Sequence, residues 1–147
     1  MTFELNQEMT INKVNIRKAG PKSARALMID VRLTCVTTPY ILAHFDPTLR
    51  HFMFAEEGGP RMRNLKPISW DGAIAHMELD IAGERFFDVT LHRFKFEALK
   101  TGHLAMIMVA TIHPTSRQTA ILADLADDDA IIAIQPIPEL TGMTGEH

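Results

Sequence analysis

The chain has 147 residues, 46% of them hydrophobic and 22% charged, with 15 Lys+Arg against 18 Asp+Glu for a formal net charge of -3. That is long enough for one core without covalent staples and too apolar for intrinsic disorder. So small a net charge supplies no global pull toward nucleic acid or an anionic membrane, although it leaves a local basic groove open. Cys35 is the only cysteine, which rules out an intramolecular disulfide and suits a reducing cytosol.

The opening stretch, "MTFELNQEMT", has no basic segment followed by an apolar run, so no signal peptide is expected. Residues 8–18 alternate poorly: Met9 and Ile11 are apolar on odd positions, Val14 and Ile16 on even ones. A switch of parity near Lys13 predicts a β-bulge. "AGPKS" (19–23) is turn chemistry. Residues 24–36 then alternate cleanly, with Leu27, Ile29, Val31, Leu33 and Cys35 on one face and Asp30, Arg32 and Thr34 on the other. Two strands joined in this way predict a β-hairpin with one wet face.

"ILAHFDPTLRHFMF" (41–54) raises a choice between chemistry and closure. Asp46 followed by Pro47 has the form of a helix cap and a first helical residue, and Leu49, Phe52 and Met53 recur at helical spacing. The stretch is therefore expected to be a short helix that closes the core. "AEEGGPRMRN" (55–64) reads as a polar loop.

In the second half, Met77, Leu79 and Ile81 alternate with His76, Glu78 and Asp80, giving a strand over 73–82. "AGE" (82–84) turns into "RFFDVTLHRFKF". There Phe87, Val89 and Leu91 take one parity and Phe94 and Phe96 the other, which predicts a second bulge or a crossing between layers. Residues 103–113 are apolar on both parities, as in a strand covered on both faces. At about half the ~20 residues that a membrane-spanning helix needs, they predict no membrane partner. His113-Pro114-Thr115-Ser116 then starts a helix that runs to about Leu125. A last strand covers 130–138, with Pro136 and Pro138 placing its end at a sheet edge.

The expected fold is mainly β, an antiparallel β-sandwich or OB-like partly open barrel with two short helices. It forms one domain over residues 1–140, with a flexible tail at 141–147.

Candidate chemistry is sparse. His44, Asp46 and His51 lack the compact spacing that holds two imidazoles on one helix face, so no metal site is predicted. His76, His92, Asp80 and Asp88 would serve either as an acid–base cluster or as a mixed, solvated sheet face, and the second is favoured. Cys35 lies on an apolar parity, where a thiol is inert. There is no GxSxG, Walker A loop or GxGxxG, so the expectation is a binding protein without cofactor and not an enzyme.

Cations interleaved with aromatics carry more weight. Arg93 and Lys95 alternate with Phe94 and Phe96, Arg61 and Arg63 lie in the loop, and Arg17, Lys18 and Lys22 flank the first turn. Single-stranded nucleic acid is held by such cations along its phosphates and by exposed aromatics under its bases. The predicted contacts are Arg17, Lys18, Lys22, Arg61, Arg63, Arg93 and Lys95 for phosphate, with Phe94 or Tyr40 for stacking. An alternative patch is acidic: Asp124, Asp127, Asp128 and Asp129, in "ADLADDD", could present carboxylates where a partner expects phosphates, or could simply end a helix in a solvated turn.

In layout, three strings resemble a group of small phage and prophage proteins: "VNIRKAG…ARALMIDVRLTC", "ILAHFDPTLRHFMF" and "HPTSRQTAILADLADDDAIIAIQP". The likeness covers most of residues 3–138 and consists of a basic first hairpin, a proline-started helix and a late "HP" helix that feeds a last strand. Members of that group tend to be encoded in early regions near recombination and single-strand-annealing genes. The resemblance implies an accessory of phage DNA metabolism, working in the host bacterial cytosol with single-stranded DNA or phage recombination proteins. It carries over no functional residue. The rival expectation is an anti-CRISPR-like inhibitor that blocks a host defence complex by protein–protein contact. A third is a homo-oligomer built through exposed strand edges.

Overall fold

The computed structural model describes residues 3–19, 26–55 and 67–137. The loop at 55–64 (beyond Ala55), most of the first turn, Pro138, the tail, and Lys22, Arg61 and Arg63 lie outside the described residues.

Among the described residues, seven antiparallel strands form the frame: β1 (Leu5–Ala19), β2 (Ala26–Thr37), β3 (Ile68–Trp70), β4 (Ile74–Ile81), β5 (Glu84–Ala98), β6 (Leu104–Ile112) and β7 (Asp129–Pro136). Their order is β3-β5-β4-β7-β1-β2-β6, and β5 also pairs with β6, so the sheet closes into a ring. β3 and β4 share one side of the long β5, opposite its C-terminal and N-terminal parts respectively. The sheet is thus barrel-like, as expected, closing in a ring while β1 keeps part of its length unpaired on one side. β7 is paired on both sides up to Ile134, but its end is at an edge as expected: β1 pairing stops at Leu5–Ile134, and Pro136 pairs with Met77 of β4 alone. Pro136 is tolerated because it is the strand's last residue, where the ladder ends.

Alternation fills the interior. Met9, Ile11, Ile29, Val31, Leu33, Cys35, Leu79, Ile81, Leu104, Met106 and Met108 are all buried. Cys35 lies among them, and burial pushes its thiol up to about 11, which makes it a packing residue. β6 has an inner face of Leu104, Met106, Met108, Ala110 and Ile112, and its outer Ile107 and Val109 are half-buried.

Strand parity changes at bulges. The switch expected near Lys13 is present as a register shift between Ile11 and Lys13. On β5 the sequence suggested one switch and the structure has two, at Asp88 and Arg93, both in the left-handed region with φ 55°. They turn Phe86, Val89, Leu91, Phe94 and Phe96 inward in succession and leave Phe87, grouped by alternation with Val89 and Leu91, 57% exposed. His76 on β4 is left-handed as well, at φ 58°. Bulges sharpen twist and bend, which a small closed barrel needs. Between β4 and β5, Ala82 (φ 52°) and Gly83 (φ 91°) make the two-residue turn. Positive φ at both positions is the type I′ geometry that matches strand twist, and Asp80 accepts from the Gly83 N–H at 2.8 Å.

One barrel end is plugged by "ILAHFDPTLRHFMF". A 3-10 helix (Pro39–His44) and α1 (Leu49–Met53) replace the single helix expected there. Asp46 does not cap α1, whose N-cap is Thr48; instead it accepts from the Thr48 N–H at 2.8 Å and its hydroxyl at 2.7 Å, closing a local turn. Ile41, Leu42, Met53 and Phe54 face the core, whereas Phe52, expected there, is 53% exposed. Phe45 is the hub of an aromatic cluster, with ring centroids 4.7 Å from Phe94, 4.8 Å from Phe96 and 4.9 Å from Trp70. At the far end, α2 (Ser116–Asp124) runs from β6 toward β7. A capping box starts it: the Thr115 hydroxyl accepts from the Gln118 N–H, and the Gln118 amide oxygen accepts from the Thr115 N–H.

β1 is flanked on both sides only near Thr10. From Leu5 to Thr10 it pairs with β7, and from Thr10 to Ala19 with β2. Beyond Thr10 its second edge is met only by the 127–128 turn, where the Asp127 N–H donates to Ile11 and the Ile11 N–H donates to Asp128. Lys13 to Ala19 therefore forms a free strand edge among the described residues.

Candidate functional site

The bulges that bend the barrel also decide which side chains leave it. Continuing the odd parity of Met9 and Ile11 would send Lys13 inward; the shift after Ile11 turns it out. On β5, the extra residue at Arg93 lets His92, Arg93 and Lys95 all lie off the core while Phe94 goes in. In register, Lys13 faces Arg32, Arg32 faces Val109, and Val109 faces His92, with Ile107 opposite Lys95 one row below. Four adjacent strands thereby line one outer groove of about 300 Å³, with Lys13, Arg32, Arg93 and Lys95 around Ile107 and Val109. It continues past Arg32, Lys95 and Ile107 toward Thr34, Pro67, Ser69, Glu97 and Ala105. The half-buried floor is where long cationic side chains lay their methylenes while their charges stay in water. Among the described residues, none of the four cations has a carboxylate within salt-bridge distance.

The groove's upper wall is a polar chain. Arg17 Nε donates to Asp30 at 2.7 Å, the Thr111 hydroxyl donates to Asp30 at 2.7 Å, and His92 Nε2 lies 2.7 Å from the Thr111 oxygen. Because the Thr111 proton is spent on Asp30, Nε2 must carry the hydrogen and donate, which leaves the lone pair of neutral His92 on Nδ1. The Arg17 hydrogen bond holds the Asp30 carboxyl below its usual range. Burial, reinforced by Arg93, holds His92 below the ordinary imidazole value. In a nucleophilic triad the hydroxyl would give its proton to the imidazole; here it gives it to the carboxylate, so the chain holds charge in place and does not activate Thr111.

Of the residues proposed from sequence, Arg93 and Lys95 lie in the groove. Arg17 lies at its rim but is committed to Asp30, and Lys18 is exposed farther along β1. Phe94 is a correction: it is fully buried, as is Phe96, and has no face to offer a base. Tyr40 is 70% exposed but lies apart from the groove, with the Arg50 guanidinium 5.1 Å from its ring centre, in a hollow shared with Pro39, Phe54 and Gly102. Sequence reasoning missed Lys13, Arg32 and the Ile107–Val109 floor. The wet parity of β2 already flagged Arg32, but no local signal revealed that β6 separates β2 from β5.

The candidate histidine cluster does not assemble. His76 pairs with Asp88 at 3.0 Å, Asp80 leans toward Arg85 at 4.0 Å, and His92 belongs to the Thr111 chain. Among the described residues, no three His, Cys, Asp or Glu side chains come together as a metal site, and no helix is long and apolar enough to cross a membrane. The acidic stretch divides. Asp129 accepts from Thr10 at 2.6 Å, while Asp124, Asp127 and Asp128 are exposed around the turn that follows α2. Comparison with family models, curated proteins and solved structures returns no match.

Proposed function

We propose that this protein binds single-stranded nucleic acid along the outer groove of β1, β2, β6 and β5, holding the phosphate backbone and performing no catalysis. The observation that carries the reading is the convergence of Lys13, Arg32, Arg93 and Lys95, without ion-pair partners among the described residues, on one apolar-floored track. A backbone of regularly spaced charges suits such a track, and its affinity comes largely from released counterions. With Phe94 buried and Tyr40 elsewhere, the groove has no aromatic platform among the described residues, so contact with bases is apolar and sequence-tolerant. The likeness to early-region phage proteins supports a place in phage DNA metabolism, beside recombination proteins in the host cytosol.

The test is fluorescence anisotropy of a labelled oligothymidine titrated at low and near-physiological salt. Saturable binding that weakens steeply with salt, and is lost in Arg32→Ala/Arg93→Gly/Lys95→Ala, is the expected result. Absence of binding at low salt overturns the reading. Attention would then pass to the exposed Asp124, Asp127 and Asp128, whose fixed turn suits a basic protein partner such as a host defence complex.

A further inference from the structure

The free edge of β1 has the length, the charge spacing and the exposed apolar residue of a self-pairing strand. Among the described residues, Lys13 to Ala19 is hydrogen-bonded to β2 alone, and Ile16 within it is 49% exposed. Seven extended residues offer roughly 23 Å of unpaired backbone. Such an edge is a template for another strand unless it is blocked. Among the described residues only one end is blocked: the 127–128 turn, bonded to Ile11, stops any added strand there.

We propose that two copies of this chain associate through β1, antiparallel about a two-fold axis at Ile16, to make one continuous sheet across two barrels. The register follows from charge. Residues directly opposite in an antiparallel pair share a face, so a self-paired strand must be centred on a residue. Centring on Asn15 sets Lys13 against Arg17 twice, and centring on Arg17 sets that residue against its own copy. Centring on Val14 runs the partner into the 127–128 turn. Centring on Ile16 sets Ile16 against Ile16, Val14 against Lys18, Asn15 against Arg17 and Lys13 against Ala19, with no cation opposite a cation. Like charges directly opposite destabilise a sheet and apolar pairs stabilise it.

The remaining diagonal approaches, of the two Arg17 side chains and of each Lys13 to the Arg17 of the other copy, are tempered because each Arg17 is already paired with its own Asp30 at 2.7 Å. The antiparallel arrangement also sends the two barrels to opposite ends of the joined strands. Lys13, Asn15 and Arg17 of both copies then lie on one face, the face that carries the groove. The association stands whether or not nucleic acid binds there.

The experiment is sedimentation of the full chain over a micromolar concentration series, with Ile16→Lys and Ile16→Glu. The wild type is expected to shift with concentration from 16.5 kDa toward twice that mass. Each variant is expected to stay monomeric, because like charges meet at the axis, and an equimolar mixture of the two is expected to recover the dimer. Ile16→Cys adds a geometric readout. Opposite residues have Cα atoms roughly 4.5–5.5 Å apart, within disulfide reach, whereas Lys18→Cys places the two sulfurs about four residues apart along the strand. Mild oxidation should link the first and not the second, with buried Cys35 taking no part. A wild type that is monomeric throughout, a dimer unaffected by both charged variants, or equal cross-linking at 16 and 18 overturns the proposal.

Discussion

β5 carries two bulges five residues apart, and they do opposite things with the same backbone device. At Asp88 the left-handed residue faces His76, itself left-handed on β4, and the two side chains meet at 3.0 Å, both well exposed. The bulge there carries its own hydrogen-bond partner. At Arg93 the left-handed residue has no such partner, and the shift brings it onto the same side as His92 and Lys95, above Ile107 and Val109. One bulge braces the barrel and the other arms it. A left-handed non-glycine residue costs on the order of 1–2 kcal/mol. At Asp88 the left-handed residue has a side-chain partner in His76, whereas Arg93 has none among the described residues.

The largest expected effect separates packing from binding on this strand. Phe94 is fully buried against Phe45, Trp70 and Phe3. Phe94→Ala should therefore cost about 3–5 kcal/mol in urea unfolding, as large aromatic truncations do. Phe87→Ala, at a residue 57% exposed, should stay within about 0.5 kcal/mol of wild type. Equal losses would mean that the second bulge does not invert the faces as described.

Next comes the contrast between the bulges themselves. Arg93→Gly relieves the left-handed backbone and removes a charge, so its stability should stay within about 1 kcal/mol of wild type. Combined with Lys95→Ala, it should weaken oligothymidine binding at every sequence and lower the salt slope by roughly 0.7 for each phosphate left without its cation. Asp88→Gly relieves the same kind of strain and should leave both affinity and slope unchanged. If Asp88→Gly weakens binding as much, the groove is not the contact surface.

How much of this was legible in the sequence follows from what is local. Alternation in 24–36 and 73–82 fixed two strands, and the parity break at Lys13 announced a bulge, because side-chain direction is a nearest-neighbour property. The "HPTS" stretch at 113–116 announced the start of α2 for the same reason, whereas the part of Gln118 in its cap came only from the structure. The three-residue β3 was too short to show a period. Phe52 and Asp46 were misplaced because a 3-10 turn and a broken helix shift the spacing that an α-helix would keep. The groove was half legible: Arg93 and Lys95 stood out beside aromatics, but those aromatics proved to be core. Lys13 and Arg32 joined them only through ring closure, a long-range pairing that no window of sequence contains.

Acidification should act on the groove through His92. Burial and Arg93 hold His92 below 6.5, so beneath that pH the unfolded chain takes up a proton that the folded chain resists. The unfolded state then binds more protons, and this residue's effect on stability turns unfavourable as pH falls through the window under 6.5. Nε2 already donates to Thr111, so the incoming proton goes to Nδ1 and adds positive charge beside Arg93. Oligothymidine affinity should therefore rise over the same window in which stability falls. His92→Asn should flatten both trends relative to wild type, and an unchanged difference would detach His92 from the groove.

The smallest effect probes the brace. The His76–Asp88 pair is exposed on both sides, at 83% and 70%, and solvent-exposed pairs contribute about 0–1 kcal/mol. Asp88→Asn keeps a residue type that tolerates the left-handed conformation and removes only the charge. Unfolding should move by no more than about 1 kcal/mol, with oligothymidine binding unaltered. A larger loss would show that the ion pair, and not the backbone geometry of the two facing bulges, holds β4 against β5. The comparison would then shift from two uses of one backbone device to two electrostatic ones.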